Sequence, residues 1–140
     1  MHKRLLVVGV ISLWLLVLSF AMIGHAQSST ATSSSVVISA VYYNTYLPNQ
    51  PEESFRIKNV STAPVSLINW IATDGEGVIT LTGIISPGEQ WWIAKTAISF
   101  TLEFGYPPTY EYGGNSDPSV PDLVRSGTVA LADAGDQLIL

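Results

Sequence analysis

The chain has 140 residues, no cysteine and a formal net charge of −5. Its two histidines, His2 and His25, both precede residue 27, so residues 27–140 offer no thiol and no imidazole. That composition excludes disulfides, thiol catalysis, zinc–thiolate sites, histidine-based triads, histidine-ligated zinc and phosphohistidine chemistry.

The N-terminus, MHKRLLVVGVISLWLLVLSFAMIGHA, has the layout of an export signal. Lys3 and Arg4 form a positive start, residues 5–23 are almost purely apolar, and Gly24 and Ala26 place small residues three and one positions before a cut. Cleavage after Ala26 is expected. The apolar run is also long enough to span a bilayer, and an uncleaved anchor is the alternative. Either way residues 27–140 lie outside the cytoplasm, and any membrane attachment runs through this segment alone. With Lys3 and Arg4 gone, four basic residues face eleven acidic ones, a net charge of −7. No basic stripe remains to follow a phosphate backbone, and direct nucleic-acid binding is not expected.

Residues 27–35, QSSTATSSS, have too few apolar side chains to pack and read as a tether. From Val36 onward the periodicity is that of β-strands. Val36, Ile38, Ala40 and Tyr42 share one face of a two-residue repeat, with Val37, Val41 and Tyr43 on the other. Two prolines make residues 46–53 a loop. SFRIKN then alternates, with Phe55 and Ile57 inward and Arg56 and Lys58 outward. Asn59-Val60-Ser61 matches a glycosylation sequon, but an Asx-type turn is the expected reason for the asparagine.

Val65, Leu67, Trp70 and Ile71 predict a short strand or two, with Trp70 mid-strand in the core. Asp74-Gly75-Glu76-Gly77 is a hairpin turn back into VITL, not a calcium loop, because two acids supply too few oxygens. Pro87-Gly88 suits the centre of a type II turn before the strand WWIA. The spacing of Phe100 and Phe104 predicts one helix over residues 97–104, capped by Thr96 and stopped by Gly105. Residues 106–122, rich in proline, glycine and tyrosine, should be an extended loop. TVALADAGDQLIL should close the chain as strand, Asp-Ala-Gly-Asp turn and strand. About eight short strands at this spacing suit a β-sandwich.

Among candidates for chemistry, Glu52, Glu53, Glu89, Glu103, Glu111 and Asp117 could form a carboxylate pair of glycosidase type. All of them fall where solvated acids are expected, and Ser116 in Gly-Asn-Ser-Asp is no nucleophile elbow. No catalytic, cofactor or metal residues are assigned. Trp91 and Trp92 are adjacent in a strand and face opposite ways, one into the core and one outward. The outward ring is either covered by the helix or a loop, or free as a platform. Tyr106, Tyr110 and Tyr112 on the proline-stiffened loop offer contact area at low entropic cost, with packing over the sheet edge as the other reading.

Four stretches resemble the lamin tail domain, an immunoglobulin-like β-sandwich of nuclear lamins and of secreted bacterial proteins. They are ESFRIKN, PVSLINWIATDGEG, ISPGEQWWIAK with its helix ending Phe-Gly, and VALADAGDQLIL. Arg56, where the family commonly has an acid, and Ala132-Asp133, in place of an asparagine-bearing turn, are departures. The resemblance implies an all-β sandwich over residues 36–140 with one short helix, and a continuation past Leu140 in a longer protein. It also implies the company of hydrolases such as nucleases or phospholipase D-like enzymes. The expected function is a non-catalytic exported module that binds a protein or glycan at the cell envelope, contacting it through Trp91, Trp92, Tyr106, Tyr110 and Tyr112. The alternatives are a piece of a secreted hydrolase whose catalytic domain lies beyond this chain, a carboxylate hydrolase in its own right, and a plain spacer.

Overall fold

The structure is a computed structural model and describes residues 34–43, 45–131 and 136–140. The expected signal segment, nearly all of the tether, and the Asp133-Ala134-Gly135 turn lie outside the described residues. Nine strands and one helix occur among the described residues: β1 (Val36–Tyr42), β2 (Ser54–Asn59), β3 (Val65–Ser66), β4 (Ile71–Thr73), β5 (Gly77–Thr80), β6 (Ile84–Ile85), β7 (Gln90–Ala94), α1 (Ala97–Phe104), β8 (Tyr110–Glu111) and β9 (Val124–Gly127). The described residues are all-β with one short helix.

The strands form a four-stranded sheet in the order β1-β2-β7-β8, a three-stranded sheet β4-β5-β9 and a two-stranded ribbon β3-β6. Every pairing between these strands is antiparallel except β7 with β8, which is parallel and therefore needs α1 as its crossover. Phe55 and Ile57 of β2 point inward as their alternation requires. They meet Ile93 and Trp91 of β7 across the ladder, and Ala72, Ile79, Ile85, Leu67, Leu81, Leu123 and Val129 complete one hydrophobic cluster. Fully burying one of these aliphatic side chains contributes about 1.5–3 kcal/mol.

The opposite face of the four-stranded sheet is covered by α1. It carries the rungs Tyr42–Ser54–Ala94–Glu111 and Ala40–Arg56–Trp92. Simple alternation puts Tyr42 and Ala40 on the same face as Val36, and here the structure differs. A bulge between Ile38 and Ala40 shifts the register by one residue. Val36 and Ile38 therefore keep the core face, while Ala40 and Tyr42 pass to the helix face and Val41 lands opposite Phe55.

Three further expectations are corrected. Residues 67–70 are a turn rather than strand: Trp70 donates its N–H to Leu67 O at 3.0 Å, and Asn69 adopts φ 66°. Trp70 is accordingly half-buried against the core, while Leu67 is the fully buried member of the pair. The strand near the C-terminus is β9, at residues 124–127. Val129 and Leu131 are buried without joining a ladder, and Ile139 pairs with Thr73 through two hydrogen bonds of 2.9 and 2.8 Å. Residues 106–122 are not wholly loop, because Tyr110–Glu111 forms the β8 edge.

The turns follow their residues. Glu89 N–H donates to Ser86 O with Gly88 at φ 76°, as a Pro-Gly type II turn requires. Asn59 is fully buried. Its Oδ1 accepts Ser61 N–H, and its Nδ2 donates to Ala63 O and Ile85 O, which is the Asx turn and leaves no amide for a glycan. Gly105 ends α1 in the left-handed region at φ 78°. Thr96 occupies the N-cap but makes no side-chain cap; its hydroxyl donates to Pro51 O, and Glu111 accepts the Ala97 N–H instead.

Candidate functional site

The five aromatic residues expected to meet a ligand fall in three places. Trp91 points into the core, its ring edge-on to Tyr110 at 5.4 Å, and its indole N–H donates to Glu89 Oε1 at 2.7 Å. Both rings lie against Gly83, whose missing side chain leaves them room. That indole N–H, together with the Ser86 N–H, holds the Glu89 carboxyl below its usual range. Tyr110 is half-buried, and burial, followed by the charge of Glu89, raises its phenol. Tyr112 is only 2% exposed and belongs to the core; burial pushes its phenol far up. As core residues, Trp91 and Tyr112 are packing groups rather than contact groups.

Trp92 and Tyr106 lie on the other face. Trp92 is half-buried beneath α1, with Phe100 at 5.4 Å and Phe104 at 5.6 Å between ring centroids. The Arg56 guanidinium sits 5.3 Å from the Trp92 ring, steadied by a 3.0 Å hydrogen bond from its Nε to Ser39 Oγ. Tyr106 packs edge-on against Phe100 at 5.7 Å yet remains 47% exposed. Tyr42 meets Phe104 edge-on at 5.2 Å and donates its hydroxyl to Glu103. Of the two readings for the outward tryptophan, cover by the helix is the one observed. Of the five residues, Tyr106 is the one that presents an open ring.

The acidic residues differ more sharply from expectation. Glu52, Glu53 and Glu111 are buried, not solvated, and Asp74 of the hairpin turn is buried with them. Glu111 accepts from Ala97 N–H at 2.9 Å, Ser116 N–H at 2.8 Å, Asp117 N–H at 3.1 Å and the Ser116 hydroxyl, so one carboxylate ties the start of α1 to the following loop. Asp74 accepts Glu76 and Gly77 N–H groups within its own turn, and Ala130 N–H from the C-terminal segment at 2.9 Å. Burial alone would raise its pKa, but those backbone donors outweigh it and the carboxyl is held low. Glu52 accepts Leu47 N–H and the Thr45 hydroxyl, and Glu53 pairs with Lys95 at 3.2 Å.

These acids escaped the sequence because nothing in Glu52, Glu53 or Glu111 marks an acid as inward. The one available signal was their placement beside prolines and turn residues, where backbone N–H groups lack ladder partners. Among the described residues no group of three or more histidines, cysteines or acids is placed to hold a metal ion, and no helix is long and apolar enough to cross a membrane. Comparison with protein families, with curated proteins and with solved structures finds no match to this chain.

Proposed function

We propose that residues 36–140 form an exported module, an immunoglobulin-like sandwich of lamin tail type, that binds or tethers at the cell envelope and performs no chemistry of its own. The observation that carries this is the condition of the buried acids. Glu52, Asp74 and Glu111 each accept hydrogen bonds from the fold's own N–H and O–H groups, and Glu53 is paired with Lys95. A hydrolase of carboxylate type needs one acid poised to give a proton and another facing the substrate. Acids committed to backbone donors have neither freedom. Residues 27–140 hold no histidine or cysteine that could act in their place.

The resemblance adds a role as an accessory domain within a larger secreted protein, and Tyr106, packed on Phe100, is the contact surface this reading favours. Purified chain assayed on glycoside, ester and phosphodiester substrates is expected to show no turnover. Turnover abolished by a single carboxylate-to-amide change would overturn the reading. Retention on isolated envelope material should fall in Tyr106→Ser without a change in melting temperature, since that ring is half in solvent.

A further inference from the structure

The connection from β1 to β2 reads in sequence as a plain proline loop, yet its described residues are tied to the rest of the fold by several hydrogen bonds. Glu52, buried, accepts Leu47 N–H and the Thr45 hydroxyl, each at 3.1 Å. Lys95 donates to Asn49 O at 2.9 Å while paired with the buried Glu53. Thr96 donates both its N–H and its hydroxyl to Pro51 O. Two successive turns, closed by Gln50 N–H to Leu47 O and Glu53 N–H to Gln50 O, carry Asn49 and Gln50 at φ 64° and 49°.

Each of these devices has a cost. A buried carboxylate loses its hydration and is tolerated only when fully hydrogen-bonded. Asparagine tolerates a positive φ, but Gln50 there costs about 1 kcal/mol or more. None of the described residues from Thr45 to Glu52 belongs to the hydrophobic cluster. What the scaffold fixes is a set of outward side chains. Tyr46 is 89% exposed, Leu47 48% and Tyr43 45%.

Costly internal anchoring beneath an exposed aromatic tip is what a preorganised contact site requires, because a fixed backbone and a two-torsion side chain lose little entropy on binding. The chemistry narrows the partner. Tyr43, Thr45, Tyr46, Leu47, Pro48, Asn49 and Gln50 carry no charge, and the nearby Lys95 ammonium is held by Glu53 and Asn49 O. The loop itself presents no cation to a phosphate, sulfate or uronate and no exposed acid, and Glu103, the acid beside Tyr42, already accepts the Tyr42 hydroxyl. Aromatic faces beside the exposed Asn49 suit the C–H face and hydroxyl groups of a sugar ring. We propose that the β1–β2 loop, centred on Tyr46, binds a neutral polysaccharide.

The test uses the full chain, purified in a non-sugar detergent, with suspended chitin, suspended cellulose and cross-linked dextran as neutral probes and dextran sulfate as the anionic one. At least one neutral probe should retain the chain, and added salt should not release it. Tyr46→Ala should weaken that retention by about tenfold or more, the loss expected for one well-placed stacking ring, with no change in melting temperature. Tyr106→Ser should leave it intact. Retention by none of the neutral probes, stronger retention on dextran sulfate, or unchanged retention in Tyr46→Ala overturns the proposal. Loss in Tyr106→Ser alone would move the site to the helix face and overturn it as well. Because the probes are purified polysaccharides, the outcome does not depend on where the protein resides.

Discussion

Replacing Glu111 by glutamine tests whether one buried carboxylate holds the helix and its following loop in place. The two carboxylate oxygens together accept four hydrogen bonds, from Ala97 N–H, Ser116 N–H, Asp117 N–H and the Ser116 hydroxyl. Glutamine keeps one acceptor oxygen and turns the other position into a donor. If the remaining oxygen serves Ser116 and Asp117, the new NH2 group faces Ala97 N–H, which is buried and has no other acceptor at hand. Hydrogen bonds to a charged group are worth about 1.5–3 kcal/mol, and a buried N–H left without a partner costs about 1–3 kcal/mol. The Ser116 hydroxyl can rotate to accept from the amide and recover part of this. The net loss should be about 3 kcal/mol. For a domain of this size that lowers the melting temperature by about 10–20 °C. Thermal unfolding followed by near-ultraviolet circular dichroism is the assay, with amide exchange at Ala97 as the local readout. A drop of less than about 4 °C, with Ala97 still protected, would show that the carboxylate is not the anchor of this corner.

Asp74 carries a depressed folded pKa. Its contribution is therefore present above the unfolded value of about 3.9 and is lost as pH falls through the lower folded value; Asp74→Asn should be clearly less stable than wild type at pH 7, with the gap closing below about pH 4 in urea titrations. Ser54 Oγ is buried beneath α1 with no hydrogen-bond partner, so Ser54→Ala should raise stability by about 1 kcal/mol, and a loss of that size would reveal a partner for the hydroxyl. Leu67→Ala should cost about 2–5 kcal/mol and exceed Trp70→Ala despite the smaller side chain, because Leu67 is fully buried and Trp70 is not; the reverse order in chemical denaturation would restore Trp70 to the core. A Cβ at Gly77 would lie 2.4 Å from Thr128 O, whereas one at Gly88 meets nothing within 4 Å. Gly77→Ala should then melt well below Gly88→Ala, whose penalty is confined to a positive φ of 76°.

Most of the backbone was legible because local chemistry dictated it. The alternation of SFRIKN, the Phe100–Phe104 spacing closed by Gly105, the Pro87-Gly88 turn and the Asn59 turn each depend on residues within one or two turns of chain. What the sequence concealed was set at a distance. The Ser39 bulge reverses the faces of half of β1, yet no glycine or proline announces it. Trp70 sits in a strand-like run, but Asn69 tolerates the left-handed region and bends the chain there. Thr96 has the right side chain for a cap, and only the approach of Glu111 from β8 makes that cap unnecessary. The aromatic residues divide for the same reason. Tyr112 and Tyr46 look equally recognisable on paper, and burial at 2% against exposure at 89% separates them.

The parallel pairing of β8 with β7 has a consequence for folding and opening. No hairpin can bring β8 to its neighbour. It must wait for α1 to lie down across the sheet, and closing that loop is rewarded by two ladder pairs, the hydrogen bonds of Glu111 and the burial of Tyr112. The antiparallel β1–β2–β7 ladder needs no such detour, so residues 105–122 should dock last. Native-state amide exchange would then resolve a small unit comprising α1's first turn and β8, opening at a free energy well below that of the β2–β7 amides. The ladder would stay closed while the edge breathes.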